Sequence, residues 1–260
     1  GTPASPVWVM TGTGAGWGLN GNSGTSNGSD FIGTTDNIPL TFKVNSQLAG
    51  KVDHLLFNTS LGYQSLAGNT IGYGNTANGY QTLFSNTTGT GNTANGAYAL
   101  RSNTTGYFTV ANGIYAMYYN TSGAACTAIG YEALYSNTIG SSNIAIGYGA
   151  LYDNTIGFSN TACGYISGSG NDNNFRCSFF GFDANPDGVI DFSNSMALGY
   201  SSRITASNQV RIGNSDITSI GGYAGWSNIS DVRYKKDVQE NVPGLAFINQ
   251  LKPVTYKLDV

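Results

Sequence analysis

Thr127–Leu151 reads TAIGYEALYSNTIGSSNIAIGYGAL, and the group Ala-Ile-Gly-Tyr at Ala128–Tyr131 returns 17 residues later at Ala145–Tyr148. The same interval extends outward in both directions. Gly62, Gly79, Gly96, Gly113, Gly130, Gly147, Gly164 and Gly181 form one column, and Gly72, Gly89, Gly106, Gly123, Gly140 and Gly157 a second. Asn stands at 69, 86, 103, 120, 137, 154 and 171, with Thr after it from Thr70 to Thr155. Leu66, Leu83, Leu100, Met117, Leu134 and Leu151 make an apolar column, and Ala77, Ala94, Ala111, Ala128, Ala145 and Ala162 a small one.

Seventeen residues are too few for a two-helix repeat, which needs about 30 or more. The unit also carries paired glycines and Asn-Thr, poor material for helix interiors. Short alternating pieces such as Thr127–Tyr131 read as strands with Gly or Asn at the corners. The expected fold is all-β: a β-solenoid, or β-roll, of stacked 17-residue coils rising about 4.8 Å each. Asn ladders close the corners, as in cross-β arrays. One coil supplies a Leu, one or two Ala and an Ile or aromatic, too little apolar surface to offset ordering its own backbone. Stacking helps, and pooling the apolar columns of several chains around one axis would help more. We therefore expect an oligomer of three chains with the Leu and Ala columns near the shared axis.

Composition narrows function. Of 260 residues, 37 are Gly and 29 Asn, and only 10 % are charged, against a usual share of about 25 %. The net charge of −3 offers no basic surface to nucleic acid. His54 is the sole histidine, so histidine-dependent catalysis has one residue to work with. Cys126, Cys163 and Cys177 are too scattered for a disulfide framework or thiolate metal site and read as buried free thiols. No apolar run reaches the length of a membrane span. The chain lacks a starting Met and a signal-peptide pattern, as expected of a piece of something longer. From 55 to 170 only Arg101, Glu132 and Asp153 carry charge, a weakly hydrated surface suited to lateral packing or neutral sugars.

Flanking segments differ. Residues 1–29 read as a linker or irregular entry with Trp8 and Trp17 as anchors, and 30–61 as a β-hairpin region turning at Thr35-Asp36-Asn37. The regular repeat spans 62–181. Gly199 and Gly213 follow Gly181 at 18 and 14 residues, so 182–229 reads as shorter coils and a neck. Residues 230–260 hold 9 of the 25 charged residues, and Leu245, Ile248 and Leu251 fall at helical spacing, marking the start of a short α/β element of another domain.

TAIGYEAL (127–134) and NIAIGYGAL (143–151) resemble the head repeats of trimeric autotransporter adhesins, whose usual coil is shorter. ITASNQVRIGNSDITSIGG (204–222), SDVRYKKDV (230–238) and GLAFINQLKPVTY (244–256) resemble tail-fibre proteins ending in an endosialidase-type intramolecular chaperone. The resemblance implies a homotrimeric fibre on a phage, a phage-like particle or a bacterial surface. Its neighbours would be a baseplate or upstream fibre segment, and a cell-surface glycan or receptor. It also implies self-cleavage between Ile229 and Ser230, with Ser230 as nucleophile and Lys235, five residues on, assisting. Ser230 as a simple helix cap is the alternative.

Three further patterns compete. Asp183, Asn185, Asp187 and Asp191, with Gly188 sixth, match the early positions of a calcium loop, although the twelfth residue is Asn194 rather than Glu. The bland reading is a polar solenoid loop. The Thr column suggests ice binding, but its place between Asn and Gly suits a corner better than a flat face. Tyr63, Tyr80, Tyr131, Tyr148 and Tyr165 either stack on sugars or pack as an aromatic ladder. The sequence thus points to a structural, non-enzymatic fibre shaft. A single-chain solenoid binding glycan or ice, and an autoproteolytic maturation module, are the alternatives.

Overall fold

The computed structural model describes residues 31–170, 173–188 and 191–222. Among them the fold is all-β. β1 (Leu40–Val44), β2 (Gln47–Asp53) and β3 (Asn58–Leu61) pair antiparallel in sequence order. β3 then starts a parallel stack: β4 (Thr76–Asn78), β5 (Thr93–Asn95), β6 (Val110–Asn112), β7 (Thr127–Ile129), β8 (Ile144–Ile146), β9 (Thr161–Cys163) and β10 (Ser178–Phe180). β11 (Asn185–Pro186) pairs β13 (Arg203–Ile204) in a small second sheet, while β12 (Met196–Leu198) and β14 (Val210–Ile212) complete the main one. The chain divides into two units at Ile217/Thr218, and among the described residues every strand lies in the first.

Register follows the repeat. Ala77, Ala94, Ala111, Ala128, Ala145 and Ala162 sit opposite one another along the sheet. The period changes also hold: Phe179 meets Ala197 across the 18-residue coil and Ala197 meets Arg211 across the 14-residue one. In each regular coil only three residues are strand, yet axial bonding runs all the way round. In one coil Gly130 and Glu132 donate to Asn112 and Ile114 in the preceding coil. Leu134, Ser136 and Thr138 donate to Ala150, Tyr152 and Thr155 in the following one. Amides between them, such as Ala133 and Tyr135, turn back to carbonyls three residues earlier.

The hairpin turns at Asn45-Ser46, both with positive φ, and not at Thr35-Asp36-Asn37, which precedes β1. Two successive left-handed residues match the twist of a tight hairpin, and Asn tolerates that region well. The sequence reading was drawn to the wrong turn-forming cluster nine residues upstream.

The core also lies elsewhere than expected. Leu83, Leu100, Met117, Leu134 and the strand alanines are fully buried inside the coils of a single chain, so they do not line an axis shared between chains. The Leu and Ala columns belong to one buried apolar cluster within the coils. The Leu column adopts positive φ: Leu134 has φ 53 and Leu151 φ 51. Left-handed residues reverse the chain sharply, and three per coil let 17 residues close a loop with so little strand.

Glycine is required where coils touch most closely. Gly130 has φ 136, and a Cβ there would lie 2.4 Å from the Gly147 carbonyl oxygen. By contrast Gly149 has φ 57 at a position other coils fill with Gln81 or Glu132, and its nearest obstacle is the Ile166 Cγ2 at 3.3 Å. Gly149→Ala should therefore cost about 1 kcal/mol, the price of a left-handed non-glycine residue. Gly130→Ala should shift the urea midpoint several-fold further at equal protein concentration; equal shifts would contradict this packing.

Candidate functional site

The first set of side chains brought together by the coils is a polar ladder. Asn86, Asn103, Asn120, Asn137 and Asn154 each donate Nδ2–H to the Oδ1 of the Asn one coil earlier, at 2.7–2.9 Å. The same Nδ2 donates to the carbonyl three residues on, as Asn120 does to Gly123 at 3.0 Å. A Cβ on Gly140 would sit 2.4 Å from the Asn137 Oδ1, so the second Gly column exists to let the ladder pass. A second, wholly buried ladder splices coils differently. Asn75 accepts from the Asn92 amide and donates to the Gly89 carbonyl, and Asn143 does the same with Asn160 and Gly157. Cys126 and Cys177 take Asn places in this ladder, their thiols directed at the Gly140 and Phe192 carbonyls. Burial pushes both thiols up in pKa. Cys163 departs from the buried-thiol reading: it is exposed, because it follows Ala162 on the strand and strand side chains alternate in and out.

The Thr column is axial too. Thr70, Thr87, Thr104, Thr121 and Thr138 donate their hydroxyls to the Thr carbonyl of the next coil, at 2.8–3.1 Å. Those protons are spent inside the stack, as a corner position demands.

Aromatic residues form the third set. Tyr131, Tyr148, Tyr165, Phe182 and Tyr200 stack with centroids 4.9–5.5 Å apart and planes within 20°. Within the column neighbouring ring faces cover one another, so a sugar finds no open face between them, and Tyr200 at the end is 64 % exposed. Where the column would fall on Ala97 and Ile114, the rings move one residue along to Tyr98 and Tyr115, stacked at 5.1 Å. A second ladder holds Tyr118, Tyr135 and Tyr152. Arg101 occupies the ring position between Phe84 and Tyr118, its guanidinium 5.3 and 5.7 Å from their centroids, a cation–π replacement for a ring. Burial, then a hydrogen bond with Tyr119 and nearby phenols, push the Tyr135 phenol up to about 12. A hydrogen bond with Glu132, then burial, raise Tyr131, and burial leads the rise at Tyr98 and Tyr152.

The calcium-loop residues are not assembled into a cage. Asp183 pairs with Arg203 at 2.5 Å and accepts from Ser201 and from the Asn185 amide group. Asp191 accepts from the Asn173 backbone. Among the described residues no three His, Cys, Asp or Glu side chains converge. Asp183 and Arg203 tie the 18-residue coil to the 14-residue one. Ser230, Lys235 and the helical spacing beyond them lie outside the described residues. His54 bonds the Asn37 side chain beside the hairpin. A cavity of about 370 Å3 opens where the hairpin meets the first coil, lined in part by Lys43, Lys51, Asp53, Ser60 and Asn69.

The outward face of the main sheet is the remaining surface, and sequence columns did not single it out. Residues on either side of each buried Ala point to solvent. In β4 and β5 these are Thr76, Asn78, Thr93 and Asn95, with Asn78 donating to Asn95. From β7 onward the trailing column becomes apolar without interruption: Ile129, Ile146, Cys163, Phe180, Leu198 and Ile212. Ile129 and Ile146 are each 40 % exposed. The signal lay in comparing strand-flanking residues between coils rather than in their period.

Two outcomes follow. Asn120→Ala orphans the Asn103 oxygen and the Gly123 carbonyl and leaves the Asn137 amide only its bond to the Gly140 carbonyl, and should cost roughly 1–3 kcal/mol for each group left unpaired and dry, read by urea unfolding. An alkaline titration followed by phenolate absorbance should show a late class of tyrosines. Because folding raises the Tyr135 pKa, the stabilisation is complete below the unfolded value of about 10. It is lost as pH climbs through about 12; a single transition near 10 would contradict the ladder. No protein-family model matches the chain, and no curated protein matches it.

Proposed function

We propose that this chain is a structural shaft segment of a homotrimeric extracellular fibre, carried on a phage-like particle or a bacterial surface. It holds a distal binding or processing domain away from its support, and its main body performs no catalysis. The observation that supports this reading best is the continuity of the axial bonding. Backbone, Asn, Thr and aromatic ladders run through the same stack, so a load along the axis passes from coil to coil through several ladders in parallel. Charge is nearly absent from the regular coils, which suits side-by-side packing of copies. The resemblance of residues 204–222 to tail-fibre chains points the same way.

The cavity beneath the hairpin favours a second reading, a single-chain module holding a small neutral glycan between Lys51, Asp53 and Asn69. Light scattering after size exclusion separates the two. The fibre reading predicts a native mass of three times 27.2 kDa. A folded monomer of 27.2 kDa would overturn it and leave the binding module.

A further inference from the structure

We propose that the apolar half of the main sheet's outer face, from β7 to β14, is where copies of this chain pack against one another, parallel and level coil by coil. The inference rests on the fibre reading above and gives it a surface. Three observations carry it. First, the column Ile129, Ile146, Cys163, Phe180, Leu198 and Ile212 is unbroken and uncharged, beside Ile144, Met196 and Val210 in the leading column. Val210 is 67 % exposed. The exposed Ile71 column, by contrast, is interrupted: Ile71 is followed by Thr88, Thr105 and Ser122 before Ile139.

Second, the ridge repeats at the coil spacing of about 4.8 Å. A surface with that pitch is matched along its whole length only by a partner of the same pitch, which a second copy supplies. Third, the face is polar at Asn78, Asn95 and Asn112 and apolar from Ile129 onward. A parallel, level arrangement sets apolar against apolar and polar against polar along the whole face; antiparallel copies overlapping over the whole face would press Asn onto Ile.

Size extends the surface. Six strands give a strip roughly 29 Å long and about 10 Å wide, well short of the roughly 800 Å2 a stable partner buries. The interface therefore continues round the adjoining corner onto the ring edges of Tyr131, Tyr148, Tyr165, Phe182 and Tyr200, which follow the strands directly and are exposed or half-buried.

Cys163 lies in the middle of the strip and is exposed, while Cys126 and Cys177 are buried, so one thiol reports on the contact. In the intact chain a short bismaleimide should join two copies through Cys163, giving a covalent dimer on a denaturing gel. Cys163→Ser should abolish that product. Ile146→Lys with Leu198→Lys, both on the exposed face, should reduce the native mass to that of one chain while the far-ultraviolet dichroism stays unchanged. Asn78→Lys with Asn95→Lys, on the polar half, should leave the mass as it was. A multimer whose Cys163 labels freely, forms no dimer and survives the lysine pair would overturn this face yet keep the fibre. A wild-type monomer would overturn both.

Discussion

Each residue of a regular coil must meet its own counterpart one coil away, at a spacing set by the β hydrogen bond of about 4.8 Å. That constraint selects the composition. Side chains that gain by meeting themselves are kept: Asn through paired amides, Thr through hydroxyl to carbonyl, Tyr through stacked rings. Like charges at this distance repel, and the regular coils are almost free of them. Where backbones approach too closely for any Cβ, as at Gly130 against Gly147, only glycine remains. Arg101 is the informative exception. It enters an aromatic column with Phe84 and Tyr118 on either side, so its charge meets two π faces instead of another charge.

The lumen obeys the same rule on a smaller scale. The Leu and Ala columns both lie inside it, with Leu134 and Ala128 both inaccessible. A chain that buries its own thin core leaves its outer sheet face free for another use. That face changes character along the stack, from Thr and Asn to Ile, Phe and Leu, without altering the lumen. Shape and surface are therefore coded by different columns of one repeat, and the surface can vary while the coil stays the same.

The period, the all-β coil, the Asn ladder and the lengths of the last coils were legible because each rests on identity at fixed spacing. What escaped reading rests on conformation or facing. A Leu at positive φ carries no sequence mark, since Leu has no preference for that region; the closing geometry of 17 residues imposes it. Asn45-Ser46 was passed over because a richer turn cluster stood nearby. Cys163 was grouped with Cys126 and Cys177 by type, although it occupies an outward strand position and they occupy Asn positions in a buried ladder. The calcium-like spacing gave no sign of Arg203, twenty residues on, which reaches Asp183 across a coil, a partner no linear motif displays.

Native-state hydrogen exchange resolved along the chain tests the dependence on axial pairing most directly. The account predicts a plateau: amides such as Gly96, Gly113, Gly130 and Gly147, each donating to the preceding coil, should share one high protection level. That level should drop together when Asn120→Ala breaks the ladder. Protection that varied independently from coil to coil, with the drop confined to residues beside Asn120, would show that the coils are held separately and contradict the account.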